Sequence, residues 1–265
     1  MPRANRYFLT GHAWHLTHRC HGRDFLLKFG RDRRCWTMWL FEARKRHGVT
    51  VLNYVVTCNH VHLLVYADGE RMAIPQAMQL LAGRTAQEFN TRKGRSGAFW
   101  EDRYHATAVE SGKHLRRCMT YIDLNMVRAG AVKHPQEWEC CGYREIQDPP
   151  ERYRRIDQEA VVRLLELGTI KELRAWQQQS VRECLDREDG CQRRPEWTES
   201  IAVGDESYLA GVHAELGMTA RHRSIESIAD GVFKLREASA AYGGRNDHEN
   251  QDVSLSNAIA WKLSY

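Results

Sequence analysis

Two histidines stand one residue apart in the segment His60-Val61-His62-Leu63-Leu64-Val65-Tyr66. Its apolar, β-branched composition predicts a strand, and side chains alternate along a strand, so His60 and His62 project from the same face. Two imidazoles on one rigid face make half of a divalent-metal site. Burying two polar rings beside Val, Leu and Tyr also requires that their nitrogens be satisfied. In a chain with 13 histidines, however, one such pair also arises by chance or by packing.

Tyr121 and Asn125 form a second candidate pair. They are four residues apart in a segment with helical spacing, Gly112 to Ala129, which puts them on one face a turn apart. A deprotonated tyrosine is a nucleophile toward phosphorus, and an asparagine amide oxygen is a hard ligand suited to Mg²⁺ or Mn²⁺. Taken alone, the pair reads equally as a tyrosine packed on a sheet and an asparagine near a helix end.

The elements needed to position these residues are visible as periodicity. Trp14 to Arg19 reads as a short strand, Arg31 to His47 as a helix stopped by Gly48, and Val49 to Thr57 as a buried strand. His60 to Tyr66 follows as a strand and Ile74 to Asn90 as a helix. Gly94 to Gly97 makes a turn, Phe99 to Glu110 an extended aromatic-rich stretch, and Gly112 to Ala129 a helix closed by Gly130. The order βαββαβ plus a helix predicts an α+β fold, a ferredoxin-like antiparallel sheet with packed helices. The character changes at Asp148-Pro149-Pro150. Beyond it, Asp157–Gly168, Lys171–Asp189 and Glu206–Ala241 read as helices, the last split near Gly217 and Gly231, and the tail Gly243–Ser256 as loop. The expected division is a catalytic unit over 1–147 and a mostly helical C-terminal extension over 148–265.

Charge follows the same division. Residues 1–150 hold 23 Lys and Arg against 14 Asp and Glu, and residues 151–265 hold 16 against 20, within an overall charge of +5. A basic front half suits a polyanion. No apolar run reaches the roughly 18 residues of a membrane span, and no secretory leader is evident, so a cytoplasmic, nucleoid-associated protein is expected. None of the eight cysteines forms a CxxC pair, so reduced thiols are expected rather than a zinc ribbon or disulfide framework. No GxxxxGK[ST] loop occurs, which argues against a nucleotide cofactor. His12, His15, His18 and His21 are spaced by three, which on a strand scatters them to alternate faces and disfavours a second metal site.

Taken in order, the motifs resemble a known family. Cys58-Asn59-His60-Val61-His62-Leu63-Leu64-Val65 resembles the HUH signature (His, hydrophobic, His) of single-tyrosine transposases. Tyr121-Ile122-Asp123-Leu124-Asn125-Met126-Val127-Arg128-Ala129-Gly130 resembles the tyrosine helix of REP-associated tyrosine transposases, with Asn125 where Gln is frequent elsewhere and Met126 where Pro is frequent. Trp14-His15-Leu16-Thr17-His18-Arg19 and Phe99-Trp100-Glu101-Asp102-Arg103-Tyr104-His105 are similar to the family's first strand and aromatic hairpin, so the resemblance spans roughly residues 7 to 147.

The resemblance implies an HUH-type fold, one divalent cation (Mg²⁺ or Mn²⁺) held by His60, His62 and Asn125, and cleavage and strand transfer of single-stranded DNA through a 5′-phosphotyrosine on Tyr121. The substrate it implies is hairpin-forming DNA, repetitive extragenic sequences or transposon ends, bound by a monomer or homodimer. A phenol of ordinary pKa, about 10, is mostly protonated at neutral pH and needs assistance. His105 and Arg117 are candidates by position alone. For DNA contacts the candidates are Arg19, Arg23, Arg33, Arg34, Arg95, Arg103 and Arg117, with Trp100 and Tyr104 for base stacking. Arg3, Arg6, Arg31, Arg44, Lys45, Arg46, Arg92 and Lys93 add to the basic surface. Two other readings compete: a DNA-binding regulator that holds hairpins without cutting them, and an RNA-processing enzyme. A helix-turn-helix over Glu206–Arg223 is a lesser possibility, since the charge there is balanced.

Overall fold

The computed structural model describes residues 9–187, 190–217, 223–229 and 231–236. In its sheet β1 (Ala13–Arg19) pairs antiparallel with β3 (His60–Tyr66) on one side and β4 (His105–Val109) on the other. β2 (Thr50–Val56) flanks β3. Two long helices, α1 (Gly30–His47) and α2 (Ala73–Lys93), connect these strands as the periodicity predicted. α1 ends at Gly48, whose φ of 65° lets its N–H turn back onto the Arg44 carbonyl. Leu40 and Ala43 of α1 and Ile74, Met78 and Leu81 of α2 close over Leu16, Leu63 and Val65, all buried. One face of the sheet is thereby sealed by apolar contact.

The other face carries the polar residues, and a bulge in β2 helps to set it. Val51 pairs with Val65 and Asn53 with Leu64, so the register shifts between them. In a regular strand these two residues would share a face; the bulge turns Asn53 to the opposite one. There its amide donates to Asp123 Oδ1 (2.9 Å) and to the Met119 carbonyl (3.4 Å), tying β2 to α3 (Lys113–Asp123). A Cβ on Gly142 would lie 2.0 Å from Asn53 Oδ1, so only glycine fits where the chain passes this amide. The helix expected over Gly112–Ala129 is interrupted at Leu124 (ψ 3°) and resumes as α4 (Asn125–Arg128).

The C-terminal extension continues the sheet. α5 (Gly142–Gln147), α6 (Gln158–Leu164) and α7 (Ile170–Leu185) lead to the short α8 (Glu196–Glu199) and to β5 (Ser200–Gly204), which runs parallel to β4. After α9 (Glu206–Leu216) come β6 (Ile225–Ala229) and β7 (Val232–Arg236), giving the order β2-β3-β1-β4-β5-β7-β6. Helix was expected throughout Glu206–Ala241; among the described residues of that span α9 alone is helical. Gly231, at φ 64°, makes the turn, and Val232 and Leu235 are buried where β7 pairs with β5. Tertiary pairing decides this hairpin against a weak local preference. β5 is too short for its periodicity to register in the sequence. Arg3, Arg6, residues 188, 189 and 218–222, and the tail Gly243–Ser256 lie outside the described residues, so the helix-turn-helix reading keeps only its first helix. Among the described residues no helix is long and apolar enough to cross a membrane, and the cysteines are free thiols.

Candidate active site

The α3 face of the sheet presents adjacent rows of residues set by strand register. Thr17 of β1 lies opposite both His62 and His105; His15 lies opposite Leu64 and Thr107. His60 and His62 do share this face, their ring centroids 5.1 Å apart and the rings nearly perpendicular. Tyr121 reaches in from the last turn of α3, with its ring centroid 6.0 Å from His62 and edge-on to it. Asn125, just past the interruption at Leu124, brings Nδ2 to 2.9 Å from His62 Nε2. Of the residues expected at the site, His60, His62, Tyr121 and Asn125 therefore converge.

The hydrogen bonds define which nitrogen each histidine offers. His60 Nδ1 lies 2.8 Å from Asn59 Oδ1 and 3.0 Å from Thr57 Oγ1. Asn59 uses its Nδ2 to donate to the Arg23 carbonyl, and Thr57 uses its hydroxyl proton on the His60 carbonyl. Both oxygens facing His60 Nδ1 are thus acceptors, so Nδ1 carries the proton and Nε2 carries the lone pair. Burial pushes the pKa of His60 down to about 3, with Arg19 and Arg128 adding to the effect. Burial, with His15 and His60, holds that of His62 well below its ordinary value. Neutral imidazoles are the form that ligates metals.

Two residues join the site that motif spacing did not single out. His15, fully buried on β1, places Nε2 2.9 Å from His62 Nδ1 and Nδ1 2.8 Å from the Trp197 carbonyl of α8. Its signal in the sequence is the expected strand itself, where it shares a face with Thr17 and Arg19. Arg128 sets its guanidinium carbon 4.0 Å over the Tyr121 ring and donates to the Tyr121 carbonyl at the helix interruption (3.1 Å). Burial raises the Tyr121 hydroxyl above its ordinary pKa, and Arg128 opposes that rise. Trp197 covers the site, 2% exposed, its ring 6.5 Å from that of Tyr121.

The donor chemistry fits a divalent cation: two lone-pair imidazole nitrogens with an asparagine amide beside one of them. No group of three or more His, Cys, Asp or Glu side chains among the described residues is placed to hold a metal. His105 is turned to the Ser200 carbonyl (3.0 Å) and to Thr107, which makes it a tie to β5.

The expected DNA contacts divide. Arg19, Arg23, Arg103 and Arg117 are exposed. Arg33 is committed elsewhere, to the Leu27 and Lys28 carbonyls and the face of Trp138, and Arg34 pairs with Glu139. Arg95 donates to Asn90 and to the Ala98 carbonyl, holding the 94–98 turn. Trp100 stacks on His18 at 4.0 Å and donates to the Ala82 carbonyl. The base-stacking expectation for Tyr104 is corrected: its ring is buried, 7% exposed, edge-on to His18. Its aromatic surface is used in the packing of the hairpin on β1.

Comparison with known proteins adds the following. Residues 9–125 match the family described as IS200-like transposase. No curated protein matches the chain. A REP-associated tyrosine transposase bound to a REP hairpin is similar over 58% of this chain and 90% of that one, at 19% identity and a TM-score of 0.45. A protein assigned as a transposase from Deinococcus radiodurans R1 is similar over 44% and 88%, at 20% identity and a TM-score of 0.32.

Proposed function

We propose that this chain, whose residues 9–125 match the IS200-like transposase family, is a DNA transposase of the REP-associated single-tyrosine type. It cuts and rejoins single-stranded DNA beside a hairpin, with Tyr121 as nucleophile. The observation that carries this reading is the meeting of Tyr121, His60, His62 and Asn125 on one face, with Arg128 over the phenol. In the reaction, Tyr121 Oη gives its proton to solvent and attacks phosphorus in line, and the leaving 3′ oxygen takes a proton back from solvent. The bond from phosphorus to the 3′ oxygen breaks, leaving a 5′-phosphotyrosine and a free 3′-OH. A second 3′-OH reverses the step on a new partner, because the phosphodiester energy is kept in the covalent link.

His60 and His62, through Nε2, and Asn125 would hold Mg²⁺ or Mn²⁺. A half-turn of the Asn125 amide exchanges Nδ2 for Oδ1, the atom a hard cation takes. Such an ion supplies polarisation of the scissile phosphate and offsets charge on the leaving oxygen. Arg128 assists differently, by favouring the phenolate over the phenol. The 1–147 segment carries this chemistry, and exposed Arg19, Arg23, Arg103 and Arg117 hold the strand.

The test uses a labelled hairpin with a single-stranded tail. Wild-type protein with Mg²⁺ or Mn²⁺ should give site-specific cleavage and a denaturant-resistant adduct, both abolished by EDTA and by His60→Ala with His62→Ala. Tyr121→Phe keeps the ring that packs among His15, His62 and Trp197, so it should fold and bind the hairpin yet form no adduct. Full cleavage by the Phe variant overturns the mechanism. A tight shift without any adduct in wild type, across both metals, favours a regulator that binds without cutting.

A further inference from the structure

The hydrogen-bond chain that ends at His62 begins in the C-terminal extension, and its first member fixes the direction of every bond after it. The Trp197 carbonyl can only accept, so His15 Nδ1, 2.8 Å away, must carry a proton. His15 is fully buried, and its partners are that carbonyl, the His62 imidazole and the edge of the Tyr121 ring, none of them anionic. A second proton on His15 would make an uncompensated buried charge. His15 Nε2 is therefore an acceptor, and His62 Nδ1, 2.9 Å away, must be the donor. The lone pair of His62 is left on Nε2, the atom beside Asn125.

We propose that His15 is a positioning residue: held by the Trp197 backbone, it locks His62 in the Nδ1–H tautomer and so dedicates His62 Nε2 to a divalent cation. The inference rests on the metal reading given above, and it gives the C-terminal extension a part in the catalytic centre. His60 reaches the same tautomer through Asn59 and Thr57, both within its own turn. His62, in mid-strand, has no such local acceptor and borrows one from 182 residues beyond its neighbour His15. Ligating histidines whose second nitrogen is held in this way lose about 10–100-fold in metal affinity when the support is removed.

The test reads tautomers in the full-length, metal-free, DNA-free protein by long-range ¹H–¹⁵N correlation spectra of ¹⁵N-histidine-labelled samples. His15, His60 and His62 should each show a protonated Nδ1 and an unprotonated Nε2. His15→Phe, which keeps a ring in the core, should release His62 into a tautomer mixture and weaken Mn²⁺ binding, read by the EPR signal of free Mn²⁺, about 10–100-fold. His15→Gln, which can donate to the carbonyl and accept from His62, should restore part of both. A wild-type His62 protonated on Nε2, or a His15→Phe protein with unchanged tautomer and Mn²⁺ affinity, overturns the relay. The expected tautomers in a wild-type protein that binds no Mn²⁺ overturn instead the metal reading on which the relay depends.

Discussion

As the proposed nucleophile, Tyr121 stands in an unfavourable place. Burial disfavours its phenolate, and Arg128, 4.0 Å over the ring, is the group that counteracts this. A desolvated cation over an aromatic face contributes about 2 kcal/mol. Arg128→Met keeps much of the side-chain volume and removes the charge, so the hydroxyl pKa should rise further. The pH at which single-turnover cleavage reaches half its plateau should then move upward. The rate at pH 7 should fall about tenfold for each 1.4 kcal/mol lost. An unchanged pH–rate profile would leave Arg128 only its bond to the Tyr121 carbonyl. The position of Arg117 and His105 makes them the helpers expected from the sequence, whereas the structure sets Arg128 over the Tyr121 ring and bonds it to the Tyr121 carbonyl.

Between elements, the tyrosine helix is registered to the sheet through one amide. Asn53 Nδ2 bonds Asp123, which also accepts from Gln177 of α7 (2.9 Å), so β2, α3 and α7 meet at a single buried carboxylate. Gly142 is what permits the chain to pass this point, since a Cβ there would meet Asn53 Oδ1 at 2.0 Å. Gly142→Ala should cost about 1–3 kcal/mol, as overpacking in a core does, measured as a lowered urea midpoint. By displacing Asn53 it should also loosen α3 and slow cleavage while hairpin affinity is kept. An alanine variant as stable and as active as wild type would show that the loop yields freely.

At the scale of the whole molecule, the charge division seen in the sequence becomes a question of surface. Arg33 is engaged within the fold and Arg34 is held in a surface ion pair with Glu139, while Arg19, Arg23, Arg103 and Arg117 are exposed. Arg19 lies opposite His60 in the β1–β3 register, and the Arg23 carbonyl accepts from Asn59, so two of the four stand beside the histidine pair. Each phosphate contact on a single strand adds about 0.7 to the slope of log K against log salt. Arg23→Ala with Arg103→Ala should therefore flatten that slope by about 1.4 on the tail of the hairpin substrate. The same pair with Arg33→Ala added should change the slope no further. An unaltered slope in the double variant would remove both arginines from the strand path.

What the sequence alone determined is everything that depends on near neighbours. The βαββαβ order follows from apolar periods within single elements. The shared face of His60 and His62 follows from the two-residue repeat of a strand, while the single helical turn expected between Tyr121 and Asn125 is divided by the interruption at Leu124. The stop of α1 at Gly48 is equally local. Only the tertiary structure decided the rest. His15 differs from its neighbours in the early histidine series solely because β1 sits between β3 and β4 and because Trp197 arrives above it. Asn53 became the anchor of α3 through a bulge that no composition announces, and β5 to β7 are strands because the edge of β4 was there to pair with. The physical reason is the same in each case. Backbone periodicity is written in consecutive residues, whereas a buried hydrogen bond is specified by whichever distant group the packed chain delivers to meet it.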